Sequence, residues 1–329
     1  MSGDIGFYSG ASKLLGKLDR DRYEVITEPG ISSVVYLCAK LGVQWQDVRL
    51  ASSHGRDCNI VGLCRTNAKV FTLLSGEDSV HRLAASLSEY GLNVRMTVGE
   101  NFGYPDERIT SGTPEEISKM TFGDLCTALV ENPRPDTSYP FGMADDDFIR
   151  GDAPMTKSEV RTLSVAKLKL SDSSIVYDVG AGTGSVSVEM ARCAVNGTVY
   201  AIEKEDAAAD LIEQNKLKFG TDNITVVRGL APEAMEDLPA PTHAFIGGSS
   251  GNLQEIIGCI LGKNPEVRIV ITCVTVETLG EISAAAERTG MKEEEIVCVN
   301  ISKAKRAGRY HLMTAQNPVY IAVLAPAER

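Results

Sequence analysis

At 329 residues, with 43% hydrophobic and 23% charged residues, the chain is long enough for two hydrophobic cores, and no apolar run approaches the roughly 18 residues of a membrane span. A formal net charge of −11 argues against general binding to nucleic acid, because phosphate contact needs clustered Lys and Arg. The N-terminus lacks a signal-peptide succession, and the eight cysteines are scattered without metal-ligand spacing, which suits reduced thiols in a cytoplasmic protein.

The first residues, "MSGDIGFYSG", read as a tight turn at Ser2-Gly3-Asp4 followed by Phe7 and Tyr8 as the first buried residues of a helix, although no strand precedes them. "YEVITEPGISSVVYLCAKLG" then reads as a strand, a Pro-Gly turn and a helix capped by Ser32 or Ser33 and closed by Gly42. "KVFTLLSGEDSVHRLAASLSEYG" repeats the pattern, with Val80, Leu83, Ala84 and Leu87 on one helical face. "NVRMTVGENFGYPDERITSGT" reads as strand, loop, strand, so this half is a small α/β layer. The proline-rich and acidic stretch "NPRPDTSYPFGMADDDF" serves neither a helix interior nor a central strand and is read as a linker, giving domains over 1–134 and 135–329.

Beyond it the alternation is longer. "SIVYDVG", "GTVYAIE", "ITVVRG", "THAFIGG" and "RIVITCV" are short apolar runs of the kind buried on both faces of a parallel sheet. "EEIVCVNIS" and "NPVYIAVLA" flank "KAKRAGRYH" without room for a crossover helix, which predicts an antiparallel pair at the sheet edge, with "NPVY" a turn entering an edge strand. Five parallel strands followed by such a pair make the seven-stranded, Rossmann-like class I methyltransferase fold.

The stretch "YDVGAGTGSVSVEMA" carries the chemistry. Gly180, Gly182 and Gly184 follow a strand and open a helix, so that a ligand can approach the main chain. A dinucleotide fingerprint would want its last glycine where Ser185 stands. Glu203 ends the next strand, where its carboxylate can accept both ribose hydroxyls, and Leu230 and Ala231 follow the third strand, suited to lie beside an adenine. Together these look like a class I S-adenosylmethionine site. Asp178 is expected to steady the glycine loop. His54 and His243 read as structural, and His311 adjoins a basic run.

"GDAPMTKSEVRTLSVAKLKL", "DVGAGTGSVSVE", "FIGGSSGNLQEII", "VTVETL" and "AQNPVYIA", spanning about Ile149 to Leu324, resemble the decarboxylating precorrin methyltransferases that act on carbon 15 in cobalamin synthesis. "SGDIGFYSG", "PGISSVVYLCAKLG", "SSHGR" and "VGENFGYPDERI" resemble the later two-thirds of the carbon-5 precorrin methylases, which are class III tetrapyrrole methylases. In many bacteria the two are fused in this order as the precorrin-6Y C5,15-methyltransferases.

The resemblance implies a fold and a function. A partial class III tetrapyrrole methylase α/β domain precedes the class I domain, and the family's first strands and glycine-proline loop would precede Met1, so carbon-5 methylation is expected to be lost or impaired. The family's usual proline after Asp4 is replaced by Ile5. S-adenosylmethionine would be held by Thr156, the loop Gly180, Ala181, Gly182, Thr183 and Gly184, and by Glu203, Leu230 and Ala231. Carbon 15 would be methylated as the acetate on carbon 12 loses carbon dioxide, and relatives of the second domain form tetramers.

For a many-carboxylate tetrapyrrole the concentrated basic run Lys303, Lys305, Arg306 and Arg309, with Lys157 and Arg161, offers charge-assisted grips; of these Lys157, Arg161, Arg306 and Arg309 are the candidate substrate-positioning residues. An RNA base methylase of the same fold is the rival reading, and a first domain acting only in binding or assembly is a third. The net charge, and the absence after the fourth strand of the prolines and aromatic that hold an amino group, count against RNA.

Overall fold

A computed structural model describes residues 4–19, 21–52, 59–76 and 78–327. The chain divides into two compact units, Met1–Thr137 and Ser138–Arg329. The readings on Ser2, Gly3, the last four residues of "SSHGR", His54 and Cys58 lie outside the described residues, and the seven described cysteines are free thiols. Among the described residues no helix is long and apolar enough to cross a membrane.

The first unit runs α1 (Ala11–Leu15), α2 (Ser33–Leu41), β1 (Arg49–Ser52), α3 (Ile60–Thr66), β2 (Lys69–Ser75), α4 (Ser79–Glu89), β3 (Arg95–Glu100), β4 (Arg108–Gly112), α5 (Pro114–Ile117) and β5 (Leu125–Glu131). Its sheet has the order β1-β2-β5-β3-β4. Only the β1/β2 pair is parallel. The two-residue period of the strands divides the core: Val70, Met96, Val98 and Val130 face Val80, Leu83, Ala84 and Leu87 of α4, whereas Phe71 and Leu129 face Val34, Leu37 and Cys38 of α2. Helix α2 begins where Ser32 Oγ accepts from the Val35 N–H and ends at Gly42, whose φ of 67° is left-handed.

Two expectations fail here. No strand forms in "YEVITEPG": Ile26 is 77% exposed, and its backbone has no sheet neighbour to pair with. Phe7 packs on the Phe71 ring, but Tyr8 is exposed and the helix starts only at Ala11.

The second unit runs α6 (Ser158–Leu168), β6 (Ile175–Val179), α7 (Ser185–Cys193), β7 (Thr198–Glu203), α8 (Asp206–Phe219), β8 (Ile224–Arg228), β9 (His243–Ile246), α9 (Leu253–Lys263), β10 (Arg268–Cys273), α10 (Val276–Thr289), β11 (Lys292–Val299), β12 (Ser302–Ala307), β13 (Tyr310–Ala315) and β14 (Val319–Ala325). The seven-stranded sheet has the order β11-β14-β10-β9-β6-β7-β8. Its five strands from β10 to β8 are parallel, and β14 and β11 close it as an antiparallel pair, as the sequence predicts. On this side the edge strand is β11; β14 lies inside it, and Ile321, Ala322, Val323 and Leu324 are fully buried. The basic run forms a separate two-stranded ribbon, β12 with β13, in which every residue is exposed.

The acidic stretch read as linker is partly built into this unit. Arg161, fully buried on α6, donates from Nε to Glu189 Oε1 at 2.7 Å and from Nη1 to Asp145 Oδ1 at 3.2 Å and the Thr156 carbonyl at 2.8 Å. Its Nη2 donates to the Met143 carbonyl, and its guanidinium lies 4.7 Å from the Phe148 ring centroid. One side chain therefore fastens the 143–148 strap and the 154–157 turn to the helical layer. A buried arginine with a carboxylate partner contributes mainly by not being left unpaired. Arg161→Met, which strands Glu189 in the core, is expected to lower unfolding stability by about 3–5 kcal/mol, read from urea denaturation midpoints at unchanged slope.

Candidate active site

The parallel strands end together, and a cleft of about 260 Å³ opens at their C-terminal edge. Two of its walls are backbone. Gly180 (φ 71°) lies against the turn after β9 so closely that an added Cβ would stand 2.7 Å from the Gly248 carbonyl oxygen and 2.9 Å from its nitrogen. Gly182 (φ 57°) likewise meets the Pro154 carbonyl, where a Cβ would stand at 2.6 Å. Only glycine allows both the left-handed backbone and these approaches.

Glu203, 8% exposed at the tip of β7, fixes the loop from the other side. Its Oε2 accepts the Gly182 N–H at 2.8 Å and its Oε1 accepts the Glu205 N–H at 3.0 Å. A carboxylate has about four acceptor positions, so two remain for hydroxyls of a ligand. Ile202, Leu230 and Ala231 add an apolar slot beside it. Diol acceptor, apolar slot and glycine cradle together fit the ribose, adenine and main-chain approach of an adenosyl group.

Asp178 lies fully buried beneath this loop, and the Ser187 hydroxyl donates to its Oδ2. Burial, reinforced by the nearby Glu203 charge and opposed by the Ser187 hydrogen bond, pushes its carboxyl up to about 7. His243 donates or accepts only next to Thr242, and burial followed by the Arg268 charge lowers its pKa. His311 stands on the exposed ribbon, opposite Arg306.

Of the residues expected at the donor, Gly180, Gly182, Glu203, Leu230 and Ala231 line the cleft. Ala181, Thr183 and Gly184 do not. The Ala181 N–H donates to the Ile202 carbonyl, the Thr183 side chain is fully buried, and Gly184 lies against Ile212, where a Cβ would stand 3.0 Å from Cγ2. These three shape the turn from behind. Sequence reasoning left out Gly229, Gly247, Gly248 and Pro154; the paired glycines of "FIGGSS" were the available signal.

A second cavity, about 470 Å³, adjoins the cleft, and Pro154 and Gly247 line both. Thr156 and Lys157 line this second cavity rather than the cleft, together with Gln316 and Asn317 at the entry to β14. Arg161, Arg306 and Arg309 line neither. Arg161 is a correction to the expected grip, because it is sealed in the core with its donors committed. Arg306 Nε donates to the Gly308 carbonyl and Arg309 to the Tyr310 hydroxyl, both on the exposed ribbon, and Lys303 pairs with Glu159 at 2.8 Å. The first unit holds a cavity of its own, about 570 Å³, lined in part by Ser32, Tyr36, Gly99 and Thr127.

Residues 147–325 match the precorrin methyltransferase domain family, and residues 1–118 match the tetrapyrrole (corrin/porphyrin) methylases. A probable cobalt-precorrin-6B C(15)-methyltransferase (decarboxylating) of Pyrobaculum calidifontis is 39% identical over 183 residues, 55% of this chain and 93% of that protein. The cobalt-precorrin-6B C(15)-methyltransferase (decarboxylating) of Salmonella typhimurium is 36% identical over 181 residues, 54% of this chain and 93% of its own. Among solved structures, a precorrin-6Y C5,15-methyltransferase of Geobacter metallireducens superposes with a TM-score of 0.54 at 38% identity, over 57% of this chain and 97% of that one. The precorrin 8W decarboxylase of Methanobacterium thermoautotrophicum gives 0.53 at 34% identity, over 56% and 99%.

Two outcomes follow from the geometry. Gly180→Ala forces a left-handed alanine against the Gly248 backbone, at a cost of about 1–3 kcal/mol from conformation alone; its melting temperature should fall, and S-adenosylhomocysteine should no longer raise it. For Asp178 the folded pKa is raised above the unfolded 3.8 to about 7, so its contribution to stability is complete below about pH 4 and is lost as pH rises through 7. The melting temperature of Asp178→Asn relative to the parent should therefore shift in the variant's favour between pH 4 and 7.

Proposed function

We propose a reaction for the second unit from one premise: the chain belongs to the precorrin methyltransferase family. It is an S-adenosylmethionine-dependent methyltransferase. The reaction proposed is methylation of carbon 15 of a precorrin or cobalt-precorrin, coupled to loss of the carbon-12 acetate carboxylate as carbon dioxide. The observation that carries it is the shared wall of Pro154 and Gly247, across which a ligand in the cleft and one in the second cavity would face each other.

S-adenosylmethionine supplies, when bound, a methyl group on a positively charged sulfur that needs no further activation. The chain's task is then alignment and exclusion of water. Glu203 orients the ribose through its two spare acceptor positions, and Leu230 and Ala231 flank the adenine. The Gly180 and Gly182 turns leave their main chain along one side of the cleft, where no Cβ stands between it and a ligand. The acceptor is itself electron-rich at the carbon methylated, so no strong base is required, and among the residues lining the second cavity only Lys157 and Cys273 carry ionisable side chains. Burial pushes the Cys273 thiol up, which keeps it protonated at neutral pH. The RNA reading has no basic cluster in either cavity to support it.

The ribbon of β12 and β13 bears on assembly. Tyr310, Leu312 and Met313 are 60–65% exposed on it, and a lone two-stranded hairpin is marginal in water. We propose that a second copy of the chain covers it in a homo-oligomer of up to four chains. Light scattering at micromolar concentration should give more than one chain per particle, and Leu312→Glu with Met313→Glu should reduce it to single chains; a monomeric parent protein contradicts this.

The reaction is tested by incubating the protein with precorrin-6Y or its cobalt counterpart and methyl-labelled S-adenosylmethionine, and weighing the product. One labelled methyl gained with one carbon dioxide lost is the expected result. A product without label, or none, contradicts it.

A further inference from the structure

The second cavity is built unlike an ordinary carboxylate site. Met155, Val160, Ile301 and Val319 make its wall apolar, and neither hairpin arginine lines it. Its one basic group, Lys157, has Asp145 Oδ2 at 3.9 Å from Nζ, so its charge is partly offset. The remaining polar side chains at its rim include the two neutral amides of Gln316 and Asn317. The Gln316 backbone N–H is held by the Ile301 carbonyl at 2.8 Å, which fixes the start of the turn. Gln316 is half-buried and Asn317 exposed at that rim, and neither side-chain amide has a hydrogen-bond partner among the described residues.

We infer that Gln316 and Asn317 hold the acetate carboxylate that is lost, donating to it from their side-chain amides while the apolar wall surrounds the rest of that edge of the macrocycle. This rests on the carbon-15 reading above. A cavity of about 470 Å³ takes one edge of a tetrapyrrole rather than the whole ring, and the edge placed there is the one beside the shared wall.

The choice of neutral donors has a physical reason. As the bond between the acetate methylene and its carboxylate breaks, the electron pair passes to the methylene carbon and into the conjugated ring, and carbon dioxide leaves without charge. A proton from solvent then completes the methyl group. Negative charge thus leaves the carboxylate on the way to the transition state. An arginine fork would stabilise the ground state most, where the charge is full, and so would slow the step. An amide orients the group with a weaker, neutral hydrogen bond, and the apolar wall disfavours the charged form that the reaction removes.

The test compares the full chain with Gln316→Ala/Asn317→Ala and with Asn317→Arg, using precorrin-6Y as acceptor and separating methylated product that keeps the carboxylate from product that has lost it. For the double alanine variant the acceptor KM should rise by roughly tenfold, as befits two lost neutral hydrogen bonds, while the affinity for S-adenosylhomocysteine is unchanged. For Asn317→Arg the acceptor KM should fall or hold, and the share of methylated product retaining its carboxylate should rise by roughly tenfold, because ground-state binding is strengthened alone. The parental KM and the parental product ratio in both variants, with the parent active, overturn the assignment of the amides. No methylated tetrapyrrole from the parent overturns the reaction it rests on.

Discussion

The second unit depends on two turns that touch through their main chains. Gly180, after β6, and Gly248, after β9, lie closer than any side chain would permit. That approach sets the floor of the cleft, and the Glu203 carboxylate secures the next turn of the loop by accepting the Gly182 N–H. Because β6 is flanked by β7 and β9, the three strand tips that carry these groups are neighbours by topology. The parallel sheet therefore builds the site through the positions of its strand ends, and the apolar cores on its two faces keep those ends in register.

Arg161 plays the corresponding part on the other wall. It ties Met143, Asp145 and Thr156 to Glu189 on α7, the helix that the glycine loop opens. The 154–157 turn reaches both cavities: Pro154 lines both of them, and Thr156 and Lys157 line the second. A side chain that touches neither ligand cavity thus supports the segment on which the two meet.

Much of this was legible in the residues. The order of apolar runs predicts the seven-stranded sheet, and the glycine spacing with Glu203 marks the cleft, because close main-chain approach and a buried carboxylate each require particular residue types. Helix α2 was legible through Ser32 and Gly42, which act locally. What sequence could not give was long-range. Arg161 reads as a grip for substrate carboxylates in "MTKSEVR" until Glu189, 28 positions later, is seen to meet it in the core. "YEVITEPG" has strand-forming residues but no partner strand, and pairing is not written in a segment. "NPVY" reads as a turn at an edge; only the sheet order shows β14 to be interior and its entry to flank a cavity.

The most direct measurement is a crystal structure of the protein with S-adenosylhomocysteine. The account predicts the nucleoside in the cleft of the second unit, its ribose hydroxyls on the Glu203 carboxylate and its adenine beside Leu230 and Ala231. An empty cleft under saturating ligand, or a nucleoside whose ribose does not touch Glu203, would contradict it.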